Sequence, residues 1–211
     1  VTDRCDFRCV YCMAEDMTFV PRAQVLTLEE MGRLGRVLVS LGVKRIRLTG
    51  GEPLVRRDVA HLVRDLGALS GLDELNMTTN GAGLGRFAGE LKAGGLDRLN
   101  ISLDSLDAEK FSRITRTGRL AQVLEGIDAA KEAGFEGIKL NTVVMKGGND
   151  QEVPELVEFA RKKKVDITFI EEMPLGEISD HDRGQVLCTS DEVRDIISQR
   201  HELVPTPEDS G

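Results

Sequence analysis

Three cysteines, Cys5, Cys9 and Cys12, stand in the run CDFRCVYC. Thiolates are soft ligands, suited to zinc or iron–sulfur centres and not to hard cations. The loop supplies three ligands, one fewer than a closed structural zinc site, and no fourth Cys or His follows it closely. The remaining cysteine is Cys188 and the nearest histidine is His61. An open coordination position is where a metal does chemistry, so the spacing favours an iron–sulfur cluster with one iron free of protein ligands. A zinc knuckle with a distant fourth ligand, and three reduced thiols without metal, are the alternatives.

Other chemistry-bearing residues are scattered but similarly placed. Gly50 and Gly51 in TGGEP (49–53) permit close approach of peptide groups to a ligand, or a tight strand-to-helix turn with Pro53 in the first helical turn. Arg47 and Lys139 sit inside apolar runs, where a charge needs an anionic ligand or a partner such as Glu52, Glu171 or Glu172. Ser102 suits a hydrogen bond to a ribose or carboxylate, or a satisfied turn. Met173 would lie at a rim or fill a gap. Thr78, Asp104 and Asn141 face the same way. Arg45, Arg47, Arg56 and Arg57 form a candidate basic patch, whereas KKK at 162–164 reads as a solvated helix end. His61, His181 and His201 lack ligand spacing, and Cys188 reads as a packed thiol.

These residues need a scaffold that brings distant segments to one place. Short aliphatic runs at 44–49, 73–78, 97–103, 137–144 and 166–171 alternate with helical patterns over 28–41, 59–69, 121–133 and 153–160. Gly42, Gly71, Gly94 and Gly134 each follow a helical stretch, as a C-cap glycine does. Such alternation predicts a parallel α/β fold, and with a truncated strand before Cys5 it makes six βα units, a partial (β/α)6 TIM-like barrel in a single domain over residues 1–211. The cysteine loop, TGGEP, TTNG (78–81), SLDS (102–105) and EEMPLG (171–176) would then all lie at carboxyl ends of strands, the functional face of such barrels.

A length of 211 residues with 40% hydrophobic content supports one sizeable core, and four cysteines with no transmembrane-length apolar run suit a reducing cytoplasm. A net charge of −8 argues against general nucleic-acid binding. Neither VTDRC at the start nor PTPEDSG at the close belongs to a regular element, which suggests a piece of a longer protein.

CDFRCVYC, with Tyr11 before the third cysteine, followed by TGGEP resembles the radical S-adenosylmethionine (SAM) superfamily. The ordered set VTDRC, FRC, YCM, IRLTGGEPL, TTNG, NISLDSL, KLNTVV and EEMPLG is similar to the GTP 3',8-cyclase family within it, which acts in molybdenum cofactor biosynthesis. The resemblance implies a 4Fe–4S cluster on Cys5, Cys9 and Cys12, SAM contacts at Tyr11, Gly51, Ser102 and Met173, and GTP contacts at Arg47, Thr78 and Lys139. It further implies an electron donor, not identified by the sequence, and is compatible with a homodimer. A C-terminal cysteine motif of that family, an upstream arginine and a terminal Gly-Gly tail have no counterpart in these 211 residues. A second 4Fe–4S cluster is therefore expected only in the full-length protein, and this chain alone is expected to hold the first cluster without cyclising GTP. The rival expectations are a radical SAM enzyme acting on a peptide or small metabolite, and a non-catalytic metal-binding or redox-sensing module.

Overall fold

The structure is a computed structural model describing residues 1–12, 16–173 and 182–207. Five strands, β1 (Arg45–Leu48), β2 (Glu74–Thr79), β3 (Arg98–Ser102), β4 (Gly137–Val144) and β5 (Asp166–Glu171), form one all-parallel sheet. Their spatial order is their sequence order. Right-handed crossovers that always step to the next strand put every intervening helix on the same side of the sheet, which is the winding of a barrel left unclosed. The helices are α1 (Leu28–Ser40), α2 (Val59–Gly67), α3 (Leu84–Ala93), α4 (Ala108–Thr115), α5 (Leu120–Glu132) and α6 (Val153–Lys163), followed by α7 (Arg183–Val186) and α8 (Ser190–Ser198).

The core lies between helices and sheet. Leu62 and Leu66 of α2, Leu91 of α3, and Val123 and Ile127 of α5 pack onto Leu75, Met77, Leu99, Ile101, Ile138 and Leu140. Strand residues alternate between faces, so these apolar positions leave Arg47, Asn76, Thr78, Asn100, Ser102, Lys139 and Asn141 together on the opposite face. Fully covered parallel sheets are apolar on both faces. Here one face is polar from β1 across to Asn141 of β4 and Thr168 of β5, and turns apolar only at Val143 and Ile170.

The sixth expected strand is not formed. Residues before Cys5 carry no strand assignment, although Gly51 N–H donates to Thr2 O at 2.7 Å and Glu52 N–H donates to Arg4 O at 2.8 Å, as a neighbouring strand would. Helix α3 was foreseen only through its C-cap Gly94, and α4 was not expected. Gly94, expected at a left-handed C-cap, has φ −76°, and Gly95 takes the left-handed conformation at φ +91°. The lysine run ends α6, where Lys163 pairs with Asp128.

Candidate functional site at the strand ends

The cysteine loop is held chiefly by its backbone. Phe7, 5% exposed, plugs into the core edge-on to Phe111, with centroids 6.0 Å apart. On either side of Cys9, Arg8 N–H donates to Thr115 O at 3.0 Å and Val10 N–H donates to Ile114 O at 2.9 Å. The Thr117 hydroxyl and the Arg116 guanidinium close on Asp6 O and Arg8 O. An aromatic anchor and the last turn of α4 thus place three thiols along one lip. Cys5, Cys9 and Cys12, together with Gly50 and Gly51, line a cavity of about 620 Å³.

Burial pushes the Cys5 thiol up to about 11, with the carboxylates of Asp6 and Glu52 adding to the effect, and burial raises Cys9 and Cys12 as well. Burial thus favours the protonated form of all three thiols in the metal-free chain. Among the described residues no three Cys, His, Asp or Glu side chains converge on a single-ion position.

TGGEP has a different local logic from the one its glycines suggested. A Cβ on Gly51 would lie 2.2 Å from Arg4 O, and one on Gly50 would lie 2.1 Å from Thr2 O. The close approach is made by residues 2–4 of the same chain. The helical-turn expectation for Pro53 is met: Pro53–Val55 is a 3-10 turn whose N-cap is Glu52, its side chain accepting from Leu54 N–H at 2.8 Å. Glu52 is 2% exposed and also accepts from Thr79 Oγ1 at 2.8 Å and Asn80 N–H at 2.6 Å. Burial lifts its carboxyl to about 7 against the pull of those three donors.

On the far side of the loop, Tyr11 Oη donates to Asp104 Oδ2 at 2.7 Å, and Asp104 Oδ1 accepts from Val143 N–H at 2.9 Å. Asp104 is 2% exposed, and burial lifts it to about 6. Asp104 thus clamps the cysteine loop to the ends of β3 and β4, through the Tyr11 hydroxyl.

The remaining expected residues share the polar sheet face. The register sets Thr78 beside Asn100 and Lys139, and Ser102 beside Asn141 and Thr168. Arg47 lies beside Asn76, one step nearer the amino ends. Lys139 is buried, while Thr78, Ser102 and Asn141 are half-buried. Arg47 departs from expectation in being exposed, because β1 is an edge strand whose polar side is open. Met173 is also exposed, not gap-filling, and residues 174–176 of EEMPLG lie outside the described residues. Glu171 accepts from Ser190 N–H and Glu172 pairs with Arg183 at 3.2 Å. The four-arginine patch divides: Arg45 pairs with Glu74 on the sheet, while Arg56 bonds Leu26 O and Arg57 pairs with Asp58 after the 3-10 turn. Asn80 and Glu52 were missed as site residues, although each stood in a motif that was read.

This arrangement has close counterparts. The radical SAM superfamily model matches residues 1–160. The chain is 72% identical over its whole length to GTP 3',8-cyclase of Marinobacter nauticus and 61% identical to GTP 3',8-cyclase 1 of Pseudomonas aeruginosa, covering 64% of each. It therefore spans about two-thirds of the length of these relatives. Among solved structures, that of Streptococcus suis SuiB aligns over 94% of this chain and 45% of its own at TM-score 0.69 and 21% identity. Native anSMEcpe with bound AdoMet aligns over 86% of this chain and 53% of its own at TM-score 0.64 and 19% identity. At these identities the structural likeness speaks for the fold. With the cysteine loop, the strand-end site and the matched family model agreeing, the chain belongs to the radical SAM superfamily.

Proposed function

We propose that this chain is the radical SAM domain of a GTP 3',8-cyclase, which starts molybdenum cofactor biosynthesis by converting GTP to a cyclic nucleotide. The observation that carries the reading is identity of 58–72%, over the whole of this chain and 64% of theirs, to relatives bearing that name. The polar sheet face supports it, since it offers hydrogen bonds and a cation to a charged nucleotide. Cys5, Cys9 and Cys12 would hold a 4Fe–4S cluster. With SAM bound, that cluster supplies a 5'-deoxyadenosyl radical able to remove a hydrogen atom from the ribose.

The protein's own part is to bind and orient. Tyr11, Gly51, Ser102 and Met173 would contact SAM. Arg47 and Lys139 would neutralise phosphate charge, and the Thr78 hydroxyl would bond the nucleotide. Asp104 would hold Tyr11 and the loop in register, and Asn141 would extend the polar row. An electron donor and a second cluster, carried by sequence beyond this chain, complete the activity; homodimerisation is compatible with it. No helix among the described residues is long and apolar enough to cross a membrane. A net charge of −8 is the feature that speaks against a nucleic-acid partner.

The test is anaerobic reconstitution of the full-length protein with iron and sulfide, then assay of SAM cleavage with and without GTP. Cleavage stimulated by GTP is expected, and none at all would overturn the proposal. Unchanged GTP binding after joint substitution of Arg47, Thr78 and Lys139 would favour the peptide or small-metabolite reading instead.

A further inference from the structure

We propose that Asn80 is a positioning residue for the Cys5 thiolate, and that its side-chain amide raises the reduction potential of the metal group held there. The inference rests on the cluster-binding reading above. Asn80 directly follows β2 and is 8% exposed. Three contacts fix it. Its N–H donates to Glu52 Oε2, its Oδ1 accepts from Ala82 N–H at 3.0 Å, and its Nδ2 donates to Asp6 Oδ1 at 2.7 Å. Because Oδ1 takes a backbone donor and Nδ2 faces a carboxylate, the amide has one workable orientation.

A primary amide nitrogen carries two hydrogens. One serves Asp6, and Cys5 Sγ lies 4.0 Å from the same nitrogen, at sulfur hydrogen-bond distance. Phe7 N–H, at 3.4 Å, is a second donor to that sulfur. Otherwise the thiol is surrounded by negative charge, from Asp6 and Glu52. Hydrogen bonds to a ligating sulfur withdraw electron density and favour the reduced metal centre, whereas nearby carboxylates oppose reduction. Asn80 does both favourable things: it donates toward Cys5 and occupies the Asp6 oxygen that faces it. Removing the amide should therefore lower the potential through two effects of one sign.

The experiment compares Asn80→Ser, which keeps a turn-forming oxygen for Ala82 N–H, with Asn80→Leu in the anaerobically reconstituted holoenzyme. Iron and sulfide content are measured first. The midpoint then comes from a redox titration followed by the paramagnetic signal that SAM perturbs. Both variants should hold wild-type iron, yet at the wild-type midpoint their ratio of reduced to oxidised cluster should fall about five- to tenfold, the worth of one hydrogen bond. Adding Asp6→Asn to Asn80→Ser should restore part of the loss. A wild-type midpoint in Asn80→Ser with full iron would overturn the proposal, and loss of iron in both variants would also overturn it, by making Asn80 a structural prop. A wild-type protein that takes up no iron would sink the cluster-binding reading itself.

Discussion

Replacing Gly51 with Ala separates a glycine that admits a ligand from one that admits its own chain. The added Cβ would sit 2.2 Å from Arg4 O, 2.6 Å from Arg4 C and 2.9 Å from Asp3 O. All three are backbone atoms, so no side chain can swing aside. Residues 2–4 must move, which breaks the Gly51 N–H bond to Thr2 O at 2.7 Å and the Glu52 N–H bond to Arg4 O at 2.8 Å. Two hydrogen bonds at about 1 kcal/mol each, with about 1–3 kcal/mol for overpacking, give a destabilisation of about 3–5 kcal/mol. Cys5 follows Arg4 directly, so iron content after anaerobic reconstitution should fall with stability. Urea denaturation of the metal-free protein reads the first effect, and iron assay the second. If Gly51→Ala lost SAM affinity while keeping wild-type stability and iron, the backbone-packing account would be refuted and the SAM contact alone would explain the glycine.

Asp104 and Glu52 carry the expected pH dependence. Their carboxyls rise from 3.8 to about 6 and from 4.5 to about 7, so between those limits the folded metal-free chain retains protons that the unfolded chain has released. Stability therefore falls as pH rises through each window and levels off above the folded value, by on the order of 3 kcal/mol per group. Tyr11→Phe removes a donor that lowers Asp104, which extends the fall to higher pH and costs about 1–3 kcal/mol at neutral pH; urea midpoints across pH check both. Phe7→Ala should cost about 3–5 kcal/mol and loosen the cysteine loop, seen as lower iron retention under a chelator. Lys139→Met should weaken GTP binding by about 10- to 100-fold in equilibrium dialysis, with far-UV circular dichroism unchanged.

The strands were legible because each is a short aliphatic run between turn residues, and observed limits such as Gly137–Val144 and Asp166–Glu171 coincide with those read from the chain. Helix α4 escaped notice at eight residues, and α3 carries two glycines that blur its pattern. The polar face was partly visible. RIRL, ELNMTT, RLNIS and IKLN all alternate, a period-two pattern unusual for parallel strands, yet Arg47 and Lys139 were read as a pair of cations and not as members of a polar row. What sequence could not show was pairing across distance. Tyr11 meets Asp104 across 93 positions, and Asn80 meets Cys5 across 75; neither spacing has a periodicity to betray it. The crowding of the TGGEP glycines was hidden for a related reason, since the backbone that meets them comes from a segment some fifty residues away.

The one-sided polarity of the sheet also bears on how such a protein can change. Side chains at Thr78, Asn100, Ser102, Lys139 and Asn141 point away from the helices, while their immediate neighbours Met77, Leu99, Ile101, Ile138 and Leu140 carry the core. In β2, β3 and most of β4 two lists of residues are thus interleaved, one committed to the core and one turned to the opposite face. A lineage could change the second list residue by residue while leaving the first untouched, with little of the stability loss that substitution in a packed interior incurs.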